Sequence, residues 1–330
     1  MDEVIAKYIN EMDLGDMQEH KGMSVFPIFN GANDNDYITL KEALDADLLK
    51  VTEIDEAGSV PELKVINKAS VPVLLLDGEE LVGAKQNRVL NTTILLKQNS
   101  ETVIPVSCTE QGRWSYNSLE FKDSGNVASY RVRRSKSASV HENLRMSGKF
   151  RSDQRRVWNE IDNMSREARV SSHTHAMRDV YESRVESLED YHNSFPLSEG
   201  QKGILVMING EVMGLDVVSS SIAYSFLHHK LLKSYSLEAI IQEENKDQND
   251  DESQFNGLDK AKSFLDEARL SVDEKHKSIG YGCDHRLEGP SFVGSALTHQ
   301  DQVIHAAFFR TLDSEQAGMS SYRARRSYRM

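Results

Sequence analysis

The feature that most constrains the fold is a pair of similar segments, each made of two apolar runs joined by an Asx-Gly dipeptide. Residues 71–84 carry Asp77-Gly78 between their two runs, and residues 203–218 carry Asn209-Gly210. An Asx-Gly dipeptide suits the two-residue turn whose twist matches that of a β-hairpin. Apolar strand, Asx-Gly, Glu, apolar pair and Gly recur in both segments. The sequence therefore predicts an internally duplicated sheet made of hairpin units.

Other apolar runs extend this sheet. A further apolar pair without the same turn lies at 291–309, and more strands are predicted at 23–29, 36–40, 62–67, 92–97 and 102–108. The last of these is dense in β-branched residues, which favour strands. We expect an α+β fold, a mostly antiparallel sheet with internally repeated hairpin units and a helical middle segment packed on it.

The helices are predicted from apolar side chains that recur at helical spacing. One helix is expected after Ser152, and another after Thr174 as its N-cap, running on to Tyr191 without a break. The start of that second helix could also offer free amides to an anion. A third should begin at the serines 219–221 and a fourth should include Leu258. The third is expected to direct Ile222, Phe226 and Leu232 to the core.

The chain is long enough for one compact domain with a large core. We predict a β-rich half, a helical segment, a second α+β half that contains a mobile acidic loop, and a basic tail that is peculiar to this chain. The predicted bounds are 20–134, 135–200, 201–312, 243–256 for the loop, and 313–330 for the tail.

Charge and apolar patterning exclude several classes of protein. The formal net charge of -13 argues against sequence-specific nucleic-acid binding. Residues 131–156 nevertheless hold a local excess of positive charge, which is either a solvated surface or a rim that faces phosphate. The acidic start and the lack of a long apolar run predict a cytoplasmic protein that does not enter a membrane. Cys108 and Cys283 are expected to be free thiols.

Common catalytic motifs are missing from the sequence. It contains no P-loop, no G-x-S-x-G and no H-E-x-x-H, so the mechanisms of the common NTPases, hydrolases and zincins are not expected. The eleven histidines show no spacing of a known metal site, and no metal is predicted. The sequence identifies no cofactor.

The first candidate binding segment is the polar run Lys85-Gln86-Asn87-Arg88, which interrupts an apolar strand pattern. On an extended chain Lys85 and Asn87 share one face, and Gln86 and Arg88 share the other. Whichever face is inward carries polar groups that need partners, because an unpaired buried amide costs about 1–3 kcal/mol. The nearest carboxylates in sequence are Glu79, Glu80 and Glu110.

The second candidate segment is "CTEQGRW", residues 108–114, at the end of an apolar strand. Cys108 is a candidate nucleophile, Glu110 a candidate acid or base, and Arg113 a bidentate donor for phosphate or carboxylate. Trp114 could stack on a base or sugar ring. The alternatives are that Cys108 and Trp114 are core residues and that Glu110 with Arg113 is a structural ion pair.

At these residues the chain resembles a domain family associated by gene neighbourhood with ADP-ribosylglycohydrolases and rhodanese-phosphatases, abbreviated ARPP. The matching runs are "LLLDGEELVGAKQNRVLNTTILL", "IPVSCTEQGRW", "THAMRDVY" and "VMINGEVMGLDVV", and the resemblance covers most of residues 20–312. It implies a role in ADP-ribose or NAD-linked nucleotide metabolism, within prokaryotic stress or defence systems. The residues of its characteristic runs include Glu79, Glu80, Gln86, Arg88, Cys108, Glu110, Arg113 and Trp114.

Two functions are compatible with these patterns. The first is an enzyme that hydrolyses or transfers part of an ADP-ribose-like nucleotide, with Glu110 or Glu80 as acid or base and Arg88 and Arg113 on phosphate. The second is a module that senses such a small anionic ligand, or binds a protein partner or a second copy of itself, without turnover. A third interpretation is that residues 79–114 form an internally neutralised polar core.

Overall fold

A computed structural model describes residues 1–31, 34–245 and 257–311. Its helices are α1 (Glu3–Asn10), α2 (Leu40–Asp45), α3 (Tyr130–Ser147), α4 (Gln154–Glu167), α5 (Met177–Glu182), α6 (Val185–Ser194), α7 (Ser221–Glu244) and α8 (Gly257–Arg269). Its strands are β1 (Met12–Leu14), β2 (Gln18–His20), β3 (Met23–Asn30), β4 (Ile38–Thr39), β5 (Leu49–Thr52), β6 (Glu62–Asn67), β7 (Val73–Leu75), β8 (Glu79–Gly83), β9 (Arg88–Leu90), β10 (Ile94–Leu96), β11 (Ser100–Cys108), β12 (Phe121–Val127), β13 (Gly203–Ile208), β14 (Glu211–Val218), β15 (Val272–Lys277), β16 (Cys283–Glu288), β17 (Phe292–His299) and β18 (Gln302–Arg310).

The strands form two large antiparallel sheets and one small sheet. The largest has the order β1-β3-β13-β14-β18-β17-β16-β15, with β2 also paired to β3. The second has the order β12-β8-β9-β11-β6-β5, and the small sheet, β10-β7-β4, includes the parallel pair β4 and β7. This arrangement confirms the predicted α+β class with mostly antiparallel strands. The proposed division into halves stays a prediction, and β3 from the first half pairs with β13 from the second.

Two of the three predicted strand pairs form hairpins. β13 and β14 pair across Asn209-Gly210, both of which have positive φ, and β17 and β18 pair across Gln300-Asp301. The pair at 71–84 turns at Asp77-Gly78 but does not form a hairpin. Its strands diverge because the Gly78 amide donates to Leu90 O, while β7 pairs with β10 and β8 pairs with β9 and β12.

Helices cover both faces of the largest sheet. α1 and α8 pack on one face, with Ile5 and Phe264 in their shared core, and α3 and α7 pack on the other. α7 also contacts β12, so α3 and α7 lie between the two large sheets. The predicted helical middle segment is present, and it begins earlier than expected, at Tyr130.

Several helical details differ from the sequence predictions. Ala176, not Thr174, precedes α5, and the single helix expected after it is broken between α5 and α6. In α7, Ile222 and Phe226 are exposed instead of buried. The face of α7 that packs inward is partly polar and includes Lys230. Glu243 and Glu244 of the predicted acidic loop belong to α7; residues 246–256 and the basic tail lie outside the described residues.

The basic stretch 131–156 is a solvated surface only in its second part, where Arg151, Arg155 and Arg156 are exposed. Arg133 and Lys136 on α3 are fully buried and pair with Asp216 and Asp77, respectively. α3 lies between the sheets, so its cations meet carboxylates from both sides, Asp216 on β14 and Asp77 in the turn between β7 and β8. Other members, such as Arg156, do remain at the surface.

Candidate functional site

Residues 85–87 of the polar run form the turn between β8 and β9, and only Arg88 belongs to a strand. β8 ends at Gly83, Ala84 has a φ of 38°, and β9 begins at Arg88. The predicted alternation of faces is therefore wrong, because the backbone is not extended here. Lys85 and Arg88, which alternation placed on opposite faces, both lie beside Trp114.

Glu110 and Arg113 form a close ion pair next to Asn87. Arg113 Nε donates to both carboxylate oxygens of Glu110 at 3.0 Å, and its Nη2 donates to Glu110 Oε2 at 2.6 Å. Arg113 also donates to Ala84 O, Ser115 O and Asn87 Oδ1. This guanidinium is saturated and holds the turn and the loop together, which favours a positioning role over phosphate binding.

An open cleft of about 510 Å³ begins at this ion pair. Its walls come from the β8 turn, the loop after β11 and the start of α5. They include Asn87, Glu110, Arg113, Lys122, Arg178 and Asp179. Residues 110–112 are fixed to the segment before α5, since Gly112 N donates to Thr174 O at 2.9 Å and Met177 N donates to Thr109 O at 2.9 Å. The predicted run "THAMRDVY" thus forms one wall of the cleft, although it caps no helix at Thr174.

Glu80 lies fully buried behind this wall. Thr109 Oγ1 donates to Glu80 Oε1 at 2.7 Å. Burial raises the pKa of Glu80 to about 7, against the opposite effect of hydrogen bonds from Thr109 and Ser124. Glu80 is therefore a carboxyl group that exchanges its proton near neutral pH, and it is sensitive to the charges of Arg178 and Glu110.

Arg88 occupies a separate compartment on the other side of the turn. Its side chain is fully buried, and Nη1 donates to Gln86 Oε1 at 3.0 Å. Nε and Nη2 have no hydrogen-bond partner among the described residues. Glu53 Oε1 is 3.8 Å from Nη2, which is an ion pair too long for a hydrogen bond. One whole edge of a buried guanidinium is thus left without a hydrogen bond.

Two aromatic rings and Lys85 cover this compartment. The Arg88 guanidinium carbon is 5.5 Å from the Trp114 ring centroid, and Lys85 Nζ is 5.5 Å from the same ring and 5.0 Å from that of Tyr116. Trp114 is 47% exposed, so it is not the core residue considered as its alternative. Lys85 Nζ also donates to Ala57 O at 2.6 Å, which ties the loop before β6 to the turn.

Cys108 and Glu79 have surroundings that suit structural roles. Burial raises the pKa of the Cys108 thiol to about 11, which leaves little thiolate at neutral pH. Glu79 is fully buried and accepts from Lys230 Nζ at 2.8 Å, and Asp123 accepts from the same ammonium at 2.9 Å. Glu79 joins β8 to α7 and lies outside the cleft lining.

Sequence reasoning missed a buried ionic network centred on α3. It contains the pairs Lys136 with Asp77, Arg133 with Asp216, and Arg286 with Asp284. Thr92, from the same motif as Asp77, donates to Asp284 Oδ2 at 2.6 Å, and Thr93 lies 2.8 Å from His305 Nδ1. The available signal was the Arg- and Lys-rich start of α3, whose cations recur on one helical face.

Within the described parts of the chain, no group of three His, Cys, Asp or Glu side chains is arranged to hold a metal ion. The buried His285 instead lies 3.1 Å from both carboxylate oxygens of Asp273 and 3.0 Å from Thr298 Oγ1. None of the described helices is long and apolar enough to cross a membrane.

Fold and site together define an α+β protein in which a polar turn and a strand-end loop build an open cleft beside a buried, half-paired arginine. A family model for the ARG and Rhodanese-Phosphatase-superfamily-associated Protein domain, ARPP-1, matches residues 11–309. The chain belongs to this family, which confirms the resemblance in its motif runs. No curated protein and no solved structure matches it significantly.

Proposed function

We propose that the protein binds an anionic nucleotide of the ADP-ribose or NAD class in the cytoplasm and acts on it by carboxylate-assisted hydrolysis or transfer. The observation that supports this most is the unpaired Nε and Nη2 edge of Arg88. These two N–H groups point the same way and match the two oxygens of a phosphate or carboxylate. Buried N–H groups left without hydrogen bonds are costly, so a ligand oxyanion has a strong reason to occupy this edge.

The neighbouring groups suit the rest of such a nucleotide. Trp114 and Tyr116 offer partly exposed aromatic faces on which a base can stack. The ligand reaches Arg88 when the Trp114 indole moves aside, because this ring lies over the guanidinium. The family association with ADP-ribosylglycohydrolases supports the same ligand class. A role in prokaryotic stress or defence remains part of the proposal.

Glu110 is the carboxylate best placed to assist bond cleavage. It lines the cleft. The backbone of Asn87 links it to the Arg88 compartment, because the Asn87 backbone N–H donates to Glu110 Oε2 at 3.2 Å and the Asn87 backbone carbonyl accepts from Arg88 Nη1 at 3.4 Å. Cleavage of an N-glycosidic bond passes through an oxocarbenium-like state that a carboxylate stabilises or assists by activating water. Glu80, with its pKa of about 7, supplies an adjacent proton donor and acceptor.

The Glu110→Gln variant tests the catalytic part of the proposal. Turnover of ADP-ribose and NAD is followed by chromatography, and affinity is followed by calorimetry. We expect turnover to fall by roughly 10²–10⁴-fold while affinity changes little. Glu101→Gln, which changes an exposed carboxylate paired with Lys64, is the matched control and should leave both unchanged.

One observation favours a non-catalytic sensing or protein-interaction module instead. Glu110 already accepts from Arg113 and from the Asn87 amide, so its carboxylate is largely occupied. The exposed Leu119, near Trp114 and Tyr116 in sequence, adds apolar surface for a protein partner. Binding that persists in wild type and Glu110→Gln with no turnover in either would establish the module and reject the enzyme.

A further inference from the structure

The buried ionic network contains an amine that the proposed function does not use. Lys136 Nζ is fully buried, contacts Asp77 Oδ1, and donates to Asn91 O at 3.3 Å. Asp77 Oδ2 has no hydrogen-bond partner within the described residues. The ammonium of Lys136 therefore lies beside a carboxylate that has one oxygen without a hydrogen bond.

Two further cations act on Lys136. Arg133 is one helical turn earlier on α3, and Arg286 extends from β16; both are buried. Burial lowers the pKa of Lys136, and the charges of Arg133 and Arg286 lower it further, against the opposite effect of Asp77. Desolvation and neighbouring cations are the conditions that activate an amine as a nucleophile.

The chain contains a second buried lysine that lacks these conditions. Lys230 is paired with two carboxylates, those of Glu79 and Asp123. Burial acts on its pKa as it does on Lys136, but the two carboxylates outweigh burial and raise the pKa of Lys230. The two lysines thus form a matched pair within one molecule.

A short strap is connected to Lys136 through Asn91. Residues 148–153 join α3 to α4, and this strap begins at Gly148, which has a φ of 68° and no atoms near its Cβ position. Phe150 O accepts from Asn91 Nδ2 at 3.1 Å, and the Phe150 ring lies 5.6 Å from the Arg286 guanidinium. Asn91 O in turn accepts from Lys136 Nζ, and Arg286 is close enough for its charge to act on Lys136. Through Asn91, two hydrogen bonds connect the strap at Phe150 to the amine, and displacement of the strap would open this path.

We propose that Lys136 is a nucleophilic amine that forms an imine with a carbonyl ligand, such as the open-chain aldehyde of a ribose with a free anomeric carbon. Lys136 first passes a proton to Asp77. The neutral Nζ then attacks the carbonyl carbon, and the carbinolamine loses water to give the imine. The choice of ligand rests on the proposed function, although Lys136 lies outside the cleft lining, because ADP-ribose carries such a ribose, whereas both riboses of NAD are closed by N-glycosidic bonds.

Reductive trapping tests the proposal on the unmodified protein. The folded chain is incubated with ADP-ribose or ribose 5-phosphate and cyanoborohydride, digested, and mapped by mass spectrometry. We expect the adduct at Lys136 to exceed that at Lys230, because an amine whose pKa is lowered has a larger neutral fraction than one whose pKa is raised. NAD should give no adduct at Lys136.

Labelling confined to exposed lysines such as Lys7, or labelling of Lys136 and Lys230 to the same extent, would overturn the proposal. The Glu110→Gln variant should form the same Lys136 adduct. Loss of turnover in that variant and formation of the adduct therefore report on the two proposals separately.

Discussion

Glu80 makes the stability of the protein depend on pH in a direction opposite to that of most carboxylates. It is fully buried behind the cleft wall, and burial raises its pKa to about 7. Between the ordinary pKa of a glutamate and this value, the folded state binds more protons than the unfolded state. Stability from Glu80 is therefore largest at low pH and is lost as the pH rises from about 4.5 to about 7.

The size of this effect follows from the pKa. At about 1.4 kcal/mol for each pH unit, the interval from the ordinary value of 4.5 to about 7 corresponds to about 3 kcal/mol. Glu80→Gln should remove it, because an amide resembles the protonated acid in shape and its Oε1 still accepts from Thr109. The variant should gain about 3 kcal/mol relative to wild type between pH 5 and pH 8.

Urea denaturation of both proteins at pH 5, 6, 7 and 8 measures this gain. Because other groups titrate equally in both proteins, only the difference in the free energy of unfolding at each pH matters. A difference that stays constant across this range would refute the burial argument for Glu80.

Three further predictions concern the buried charges, the thiols and one turn. Arg133→Met should lower the free energy of unfolding by about 3–5 kcal/mol, because the buried Asp216 loses its guanidinium partner and keeps only Tyr235 and His305 among the described residues. Asp216→Leu in the same chain should recover most of this loss in urea denaturation, and a double variant no more stable than the single one would contradict this. Iodoacetamide at pH 8 should label Cys283, which is partly exposed, well before the buried Cys108, whose pKa is about 11, and mass spectrometry showing equal rates would be inconsistent with that environment. Gly210→Ala should destabilise the protein by roughly 1 kcal/mol in thermal or urea unfolding, since Gly210 has a φ of 76°. Gly148→Ala is the comparison: Gly148 has a similar φ of 68° and no atom within 4 Å of an added Cβ, so only the backbone cost should be seen there.

Local patterns predicted the elements whose own residues determine them. β3, β6 and β11 lie close to their predicted places because dense apolar and β-branched runs favour buried strands. The turn at Asn209-Gly210 also follows from its own residues, which adopt positive φ. The α+β class followed from the same local signals.

Long-range contacts decided the features that the sequence did not predict. Asp77-Gly78 has the same local signal as Asn209-Gly210, yet its strands separate, because Asp77 pairs with Lys136 on α3 and the Gly78 amide pairs with Leu90. Likewise, the Arg- and Lys-rich start of α3 does not reveal which residue pairs with Arg133. Its partner Asp216 is 83 residues away in the chain.

The candidate site also combines one feature that local sequence could predict with another that depends on long-range contacts. The ion pair of Glu110 with Arg113 could be expected from a spacing of three residues, and it is present. The separation of Arg88 from this pair could not be predicted, because it depends on the turn at 84–87 and on Glu53, which is contributed by another segment.

The affinity of the protein for ADP-ribose, measured by calorimetry in wild type and in Arg88→Lys, tests the central claim most directly. Lysine keeps the positive charge but lacks the paired N–H edge, so the variant should bind roughly 10- to 100-fold more weakly, as expected for loss of charge-assisted hydrogen bonds. Arg145→Lys, at an ion pair with Glu274 and Glu288, should bind like wild type. Equal affinity of wild type and Arg88→Lys, or no binding of ADP-ribose or NAD by wild type, would contradict the account.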